Sequence, residues 1–341
     1  MEQLEVRDWF VLVGLVVGLA YGFIAQPSRF CIRRGISDIA EGKGSATLTG
    51  WLGALLVAFP LTQWMLLSGH LDESQTIYFP TSLSWWTTLT GALAFGIGMM
   101  LTRGCPARLL VLSATGNLRA WFGLLVVGVS AYATFKGLIG ESRVELQRTG
   151  SLELPNESIL LLVPGFEWVL IGLVTAVIGF FAFRHGLNQN LIGGLLVGFL
   201  VAGAWSTTAV LGADDFDPMA PMSLTFVAPI GEAITYLQLA SGLEPSFNVT
   251  LVLGVLIGAF ISSILRGEFK LQTFETACDH ARYFLGAVLM GVGGILALGC
   301  STGQAITGLA TGSLWSILVT VVIFVSGYWM HSRSILSVKT Q

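Results

Sequence analysis

Three of the four cysteines lie at breaks between apolar segments, and these breaks are where chemistry is expected. They are Cys31, Cys105 and Cys300. The first backbone N–H groups of a helix have no partner and carry partial positive charge, so a helix that begins at such a break can hold an anion. A thiol beside it offers a weak, polarisable S–H donor, which suits a sulfur-bearing anion better than a hard oxyanion. These residues therefore predict a path for a soft anion.

Other uses of cysteine fit this sequence less well. No two cysteines form a Cys-x-x-Cys pair, so neither a dithiol redox centre nor a zinc site is indicated. Cys278 lies in a charged loop, and its neighbours Asp279 and His280 are too few for a metal site. We therefore expect no metal and no cofactor. The three thiols must stay protonated to receive an anion. Burial favours the protonated form of a thiol, and a nearby arginine favours the thiolate.

Residues next to the cysteines complete the predicted path. Pro106 follows Cys105 directly and is a favourable first residue of a helix, so a short helix is expected there. Ser301 or Thr302 can cap a second short helix after Cys300. Irregular backbone at membrane depth is tolerated only where it is buried in protein or lines a polar cavity. Besides the three cysteines, the secondary candidates along the path are Arg103, Gly104, Pro106, Arg108, Gly299 and Ser301.

The elements that position Cys105 and Cys300 are two copies of one segment. Residues 91–105 read GALAFGIGMMLTRGC and residues 286–300 read GAVLMGVGGILALGC, and they agree at seven of fifteen positions without a gap. A duplicated apolar segment that ends in a break is typical of the substrate site of a transporter. We expect the two copies to enter the bilayer from opposite faces and to meet near its middle.

The composition is that of an integral membrane protein. Only 11% of the 341 residues are charged, 54% are hydrophobic and the mean hydropathy is +0.77, whereas roughly 25% of a soluble domain is charged. No Gly-x-x-x-x-Gly-Lys-Ser/Thr run occurs, so nothing indicates an ATPase. We expect contact with the lipid bilayer and none with nucleic acid.

The predicted fold is all-α, with about nine transmembrane helices plus short broken or re-entrant helices in an inverted internal repeat. One transmembrane domain is expected over residues 1–341, with a first pseudo-repeat at 1–140 and a second at 166–341. The apolar segments that approach spanning length are 9–25, 47–68, 84–102, 119–139, 166–183, 190–211, 247–265, 283–299 and 314–331.

The loops predict an orientation. Most lysines and arginines fall in alternate loops, which places the N-terminus outside and the C-terminus in the cytoplasm. The N-terminus is acidic and lacks the basic region of a signal peptide, so the first apolar segment is expected to be a retained span. Residues 222–239 are expected to form a helix that lies on the membrane or dips into it.

Four runs of residues, spread over nearly the whole chain, resemble the YeeE/YedE family of bacterial sulfur-compound transporters. They are Ser28-Arg29-Phe30-Cys31 with Gly35 and Asp38; Thr102-Arg103-Gly104-Cys105-Pro106; Gly116-Asn117-Leu118-Arg119-Ala120 followed by Ala131-Tyr132-Ala133-Thr134; and Ala297-Leu298-Gly299-Cys300-Ser301-Thr302-Gly303-Gln304 with Gly308. Family members often have Gly-Asn after the second cysteine, where this chain has Pro106-Ala107, and Gly where it has Ala305. These departures bear on the exact substrate more than on the fold.

The resemblance implies uptake of thiosulfate across the bacterial inner membrane, through an hourglass-like fold of nine spans with buried broken loops. It implies that three loop cysteines pass the anion along by S–H hydrogen bonds, without net redox change. Carried over to this chain, Cys300 lies at the outer side, and Cys31 and Cys105 lie toward the cytoplasm. Some members act with a small cytoplasmic sulfur carrier of the TusA type, which is the protein partner that the resemblance implies.

The residues also fit two other functions. The first is a membrane thiol enzyme that forms persulfide or disulfide intermediates among these cysteines. The second is a membrane docking protein for a cytoplasmic sulfur carrier, with the arginines around Cys31 as its docking surface. A covalent sulfur adduct would distinguish the first function from transport, and binding without flux would distinguish the second.

Overall fold

The computed structural model of the protein describes residues 6–80, 83–152, 165–213, 218–274 and 276–339. Within these residues the chain is mostly helical with almost no strand, which confirms the predicted all-α membrane fold. Two short strands, β1 (Leu83–Ser84) and β2 (Ser151–Leu152), pair in antiparallel fashion. The helices are α1 (Val6–Ala25), α2 (Ile32–Ala40), α3 (Thr49–Leu67), α4 (Trp85–Leu101), α5 (Pro106–Ala114), α6 (Leu118–Phe135), α7 (Gly140–Arg148), α8 (Glu167–Phe183), α9 (Gln189–Gly212), α10 (Val227–Leu239), α11 (Phe247–Leu265), α12 (Ala277–Leu296) and α13 (Leu314–Lys339).

All nine apolar segments of the sequence fall on helices. Seven stretches in the described part of the chain are long and apolar enough to cross a membrane by length and composition. The other two predicted spans correspond to α8, which is apolar but has 17 residues, and to α12. The protein is therefore a multi-pass membrane protein, and the count of nine spans stays a prediction.

The two copies of the repeated segment, α4 and α12, pack directly against each other and run antiparallel. A Cβ atom added at Gly98 would lie 2.5 Å from the carbonyl oxygen of Gly286, and one added at Gly293 would lie 2.6 Å from that of Gly91. The alignment of the copies equates Gly91 with Gly286 and Gly98 with Gly293, so each contact maps onto the other when the copies are exchanged. Glycine at these positions lets the two backbones approach closely.

The same exchange relates the neighbouring helices. Helix α1 packs on α11, and its counterpart α9 packs on α3. Helix α4 packs on α13, and its counterpart α12 packs on α6. Helix α2 likewise contacts α13 as α10 contacts α6. Helix α8 packs against α3 and lies outside these matched pairs. This matched packing supports an inverted repeat, and the bounds 1–140 and 166–341 stay a prediction.

Helix α10 accounts for most of the segment 222–239. It begins at Val227, later than the predicted start at residue 222, and packs against α6, α11 and α12. Glycines permit two of these approaches, because Val227 lies against Gly294 of α12 and Gly231 lies against Gly128 of α6. The first half of α10 is therefore buried among other helices.

Candidate functional site

The chain enters all three cysteines with the same unusual backbone turn. Arg29, Arg103 and Leu298 have φ angles of 48°, 55° and 57°, and they are the non-glycine residues of the described part that adopt positive φ. Each stands two residues before a cysteine, namely Cys31, Cys105 or Cys300. A left-handed conformation costs a non-glycine residue about 1–3 kcal/mol, and such outliers cluster at functional sites. Because the same strained turn precedes all three cysteines, we infer that the position of each cysteine is important for function.

Each cysteine also stands at the start of a helical segment, as the breaks predict. Cys31 precedes α2 and Cys105 precedes α5, both with extended backbone. Cys300 precedes a helical segment that includes a π-helical turn over Gly303–Gly308. The N–H of Gly303 donates to the Cys300 Sγ at 3.3 Å. The thiols of Cys31 and Cys105 each interact in the same way with the backbone of the residue three positions after that cysteine.

The helical segments after Cys105 and Cys300 begin in different ways. Pro106 is the first residue of α5, which confirms the predicted short helix after Cys105. Thr302 stands at the N-cap of the π-helical turn, but the expected hydroxyl cap is not formed, and the Gly303 N–H donates to the Cys300 sulfur instead. The Ser301 hydroxyl makes no hydrogen bond, although it is buried. The Ser301 side chain lies next to the thiol of Cys105.

The three thiols form one group, which we call the thiol cluster (Cys31, Cys105 and Cys300). The Cys105 side chain interacts with Cys31 on one side and with Ser301, the neighbour of Cys300, on the other. Tyr21 of α1 lies within electrostatic range of all three thiols. Cys105 is 4% exposed and Cys300 is fully buried, and all three are free thiols. The structure thus brings together the three cysteines that the sequence singles out.

A cavity opens toward each end of the thiol cluster. The first, which we call the tyrosine vestibule, has a volume of about 480 Å³, and its wall includes Tyr78, Tyr132, Trp205, Leu298 and Gly299. The second, which we call the arginine vestibule, has a volume of about 470 Å³ and is lined by residues that include Cys31. Arg7 in the first turn of α1 lines the tyrosine vestibule, and Gln26 just past its end lines the arginine vestibule. A helix of this length spans roughly 30 Å.

The arginine vestibule is strongly basic. Among the described residues, its wall carries one carboxylate, that of Glu268, against a set of cations formed by Arg29, Arg33, Arg34, Arg103, Arg108 and Lys270. Glu268 is itself engaged, since it accepts a hydrogen bond from Gln26 and lies 3.8 Å from Arg266. A cavity lined by one sign of charge raises the local concentration of the opposite ion. This cavity therefore favours anions.

Cys31 lies in the loop after α1, outside the seven candidate spans, and its ionisation responds to this setting. The interaction with the Cys105 thiol lowers the pKa of Cys31 below that of an ordinary thiol, and the Arg108 guanidinium acts in the same direction. Burial opposes both effects. The tension between anion binding and thiolate formation that the sequence predicts is therefore present at Cys31.

The broken backbone after Cys300 is held by side chains from other helices. Trp51 Nε1 donates to the carbonyl oxygen of Ala305 at 2.7 Å, and Gln63 Nε2 donates to that of Ala310 at 2.9 Å. Both donors come from α3. Unpaired carbonyl groups at this depth are costly, so these bonds are what makes a break inside the helix bundle possible.

The secondary candidates fall on both sides of the thiol cluster. Gly299 lines the tyrosine vestibule, Arg103 and Arg108 line the arginine vestibule, and Gly104 and Pro106 are buried beside Cys105. The Arg108 guanidinium donates to the carbonyl oxygen of Ala25 at 3.3 Å, which fixes its position. Cys278 is exposed and lies apart from the cluster. Among the described residues, no group of His, Cys, Asp and Glu side chains is arranged to hold a metal ion.

Sequence reasoning missed three aromatic residues of the site. Tyr21 is buried next to Thr302, Tyr78 is buried near Cys300, and Trp205 packs edge-on against Tyr78 with ring centroids 6.1 Å apart. A tyrosine or tryptophan inside an apolar span is a usable signal, because its hydroxyl or indole N–H needs a polar partner when buried. The sequence does not reveal which of its aromatic residues face the cysteines.

Two cavities on either side of a thiol cluster, within a bundle of membrane-crossing helices, are the arrangement of a membrane transporter. The family described as Sulphur transport matches residues 27–330. The chain therefore belongs to this family, as the sequence motifs predict.

Relatives along the full length carry transporter names. The chain is 24% identical over 344 residues to the Thiosulfate transporter TsuA of Spirochaeta thermophila, covering 94% of this chain and 97% of the relative. It is 25% identical over 349 residues to the protein of the same name in Escherichia coli, covering 94% of each. A Probable transporter of Xylella fastidiosa is 28% identical over 90 residues, which is 26% of this chain and 65% of the relative.

Proposed function

We propose that this protein takes up thiosulfate, or a similar small sulfur-containing anion, across the cytoplasmic membrane of a bacterium. The observation that carries the proposal is the thiol cluster between two anion-accessible vestibules. The names of the full-length relatives support thiosulfate as the substrate.

In this proposal the anion moves along a row of neutral donors. It leaves the tyrosine vestibule at Gly299, meets the Cys300 thiol, and passes by the unpartnered Ser301 hydroxyl to Cys105. Cys31 then delivers it to the arginine vestibule. Each thiol donates its S–H to the anion and keeps its proton, so no covalent bond forms and no electron moves. Weak, successive sites suit conduction, because the anion must bind well enough to enter and loosely enough to leave.

The proposed orientation places the arginine vestibule in the cytoplasm and the N-terminus in the periplasm, since lysine and arginine accumulate in cytoplasmic loops. Anions that cross the thiol cluster are then drawn into a basic cavity inside the cell. A small sulfur carrier of the TusA type is the proposed partner on that side, where it would take over the released anion.

Uptake by the purified protein in liposomes tests the proposal directly. We expect radiolabelled thiosulfate to accumulate inside proteoliposomes and unlabelled thiosulfate to compete more strongly than sulfate, because sulfate lacks the terminal sulfur that the thiols recognise. Protein-free liposomes are the control. Accumulation no faster than in the control, or equal competition by sulfate, would contradict the proposal.

The ionisation of Cys31 predicts a pH dependence of uptake. A thiolate repels the anion and cannot donate, and the lowered pKa of Cys31 means that more thiolate is present near neutral pH than for an ordinary thiol, whose pKa is roughly 8.5. We therefore expect the initial rate of uptake to rise as the pH on the side of the arginine vestibule falls from about 8 toward about 6. Initial rates at matched thiosulfate gradients measure this.

Cys31→Ser is the informative variant for this prediction, because a serine hydroxyl does not titrate in that range. Its uptake should lose the rise at low pH. A Cys31→Ser profile with the same slope as the wild type would show that another group titrates.

A further inference from the structure

The inner end of the tyrosine vestibule contains a buried donor with no partner. Trp205 of α9 is 2% exposed, and its Nε1–H makes no hydrogen bond within the described structure. Trp205 nevertheless lines the vestibule, next to Tyr78. A buried N–H group without a hydrogen-bond partner lowers the stability of a fold. Trp51 and Gln63 satisfy the backbone of the neighbouring break, whereas the Trp205 indole has no partner among the described residues. Its N–H is therefore available to bind a ligand.

Two hydroxyl groups converge on the same place, beside the residue whose N–H donates to Cys300. A Cβ atom added at Gly303 would lie 2.7 Å from Thr225 Oγ1 and 3.6 Å from Tyr78 Oη. Tyr78 is also within electrostatic range of the Cys300 thiol. Thr225 and Tyr78 therefore lie on the vestibule side of the segment after Cys300, and Trp205 lines the same vestibule and packs on Tyr78. All three offer neutral hydrogen-bond donors.

The pseudo-symmetry of the fold shows why such donors are needed on this side. Cys31 stands immediately before α2, and the residue in the same position before α10 is Phe226. The matched packing of α2 and α10 makes Phe226 the counterpart of Cys31. Phe226 is fully buried and packs against Tyr21 with ring centroids 5.0 Å apart. The tyrosine side of the passage thus has no fourth thiol in the place that symmetry provides.

We propose that Trp205, Tyr78 and Thr225 form an oxyanion-binding subsite on the vestibule side of Cys300. The inference rests on the proposed function and deepens it. Indole N–H and hydroxyl groups are harder donors than a thiol and match the oxygen atoms of the substrate, whereas the Cys300 S–H matches its terminal sulfur. The class of ligand is therefore a small oxyanion that also carries a soft sulfur atom. The subsite presents it with the sulfur toward the thiol cluster.

The charges around the subsite support reversible binding. Arg7 forms an ion pair with Glu244, and Lys136, Arg143 and the carboxylate of Glu232, which accepts hydrogen bonds from Ser246 and Asn248, line the same cavity. These cations attract the anion into the vestibule, but the three proposed ligands carry no charge. Neutral donors hold an anion less tightly than an arginine would, which lets the anion move on to Cys300.

Equilibrium binding of radiolabelled thiosulfate to the purified full-length protein tests the subsite independently of transport. Trp205→Phe and Tyr78→Phe each remove one donor and keep the aromatic ring. Because a hydrogen bond to a charged group contributes about 1.5–3 kcal/mol, we expect the Kd to rise about 10- to 100-fold for each variant. Trp64→Phe is the matched control, since Trp64 is half exposed and stacks on His70. Its Kd should equal that of the wild type.

The outcomes separate the subsite from the proposed function. Wild-type levels of binding in both Trp205→Phe and Tyr78→Phe would overturn the subsite, even if the wild-type protein transports thiosulfate. Weaker binding in both variants with no uptake by the wild type would support the subsite and overturn the proposed function. A wild-type protein that does not bind thiosulfate overturns both. If Trp205→Phe elutes as aggregate in size-exclusion chromatography, Tyr78→Phe with its intact ring decides.

Discussion

Cys105→Ala and Cys300→Ala should each reduce the initial rate of thiosulfate uptake by about 10- to 100-fold. Each variant removes a hydrogen-bond donor from the thiol cluster. Since one hydrogen bond to a charged group contributes about 1.5–3 kcal/mol, losing it slows passage about 10- to 100-fold. The gap also interrupts the contact between Cys105 and its neighbours Cys31 and Ser301. Uptake into proteoliposomes measures both variants under one thiosulfate gradient.

Cys278→Ala is the matched control for this experiment. Cys278 is exposed and stands apart from the thiol cluster, so its variant should transport at the wild-type rate. Normal uptake by Cys105→Ala or Cys300→Ala would contradict the relay. Loss of uptake in Cys278→Ala would show that damage to the fold, rather than loss of a donor, explains the effect.

Serine variants distinguish the relay from covalent sulfur chemistry. A serine hydroxyl still donates a hydrogen bond but cannot form a persulfide or a disulfide. Cys105→Ser and Cys300→Ser should therefore keep part of the uptake that the alanine variants lose. Equal loss in serine and alanine variants, together with a persulfide detected by mass spectrometry after turnover, would favour a covalent route instead.

The location of the site could be predicted from the sequence because its signal is local. Each cysteine stands at a break in an apolar segment, Pro106 marks the start of a helix, and residues 91–105 and 286–300 repeat one pattern. Apolar periodicity, proline chemistry and an ungapped repeat all act within a few turns of helix. They were enough to identify the membrane fold and the three cysteines that the structure brings together.

The walls of the site could not be predicted, because they depend on contacts between distant parts of the chain. Tyr21 and Trp205 lie in long apolar helices whose sequences give no direction toward Cys105 or Cys300. The left-handed turn at Arg29 is equally hidden, since it belongs to a loop outside the duplicated segment. Only tertiary packing shows that this loop repeats the geometry of the other two.

Helices α4 and α12 cross with their backbones in close contact. Helix α4 ends at the break before Cys105, and α12 ends at the break before Cys300, so the crossing sets the distance between the two thiols. A methyl group at Gly98 would lie 2.5 Å from the carbonyl oxygen of Gly286 and 2.9 Å from the backbone nitrogen of Met290. Both neighbours are backbone atoms that cannot rotate away, so the helices must separate.

Gly98→Ala should therefore impair uptake although every cysteine is intact. Overpacking of this kind costs about 1–3 kcal/mol, and we expect a lower thermal unfolding temperature in detergent together with at least a tenfold slower uptake of thiosulfate. Gly203→Ala is the matched control, because Gly203 lies in α9 with no atom within 4 Å of an added Cβ. Its uptake and its unfolding temperature should match those of the wild type.

Gly293→Ala extends this test to the pseudo-symmetry itself. Gly293 is the counterpart of Gly98, and a methyl group there would lie 2.6 Å from the carbonyl oxygen of Gly91 and 2.7 Å from the backbone nitrogen of Phe95. Because the two contacts exchange when the repeats are exchanged, the two variants should lose uptake to a similar degree. A severe loss in Gly98→Ala beside normal uptake in Gly293→Ala would show that the two breaks are not held by equivalent halves of one crossing.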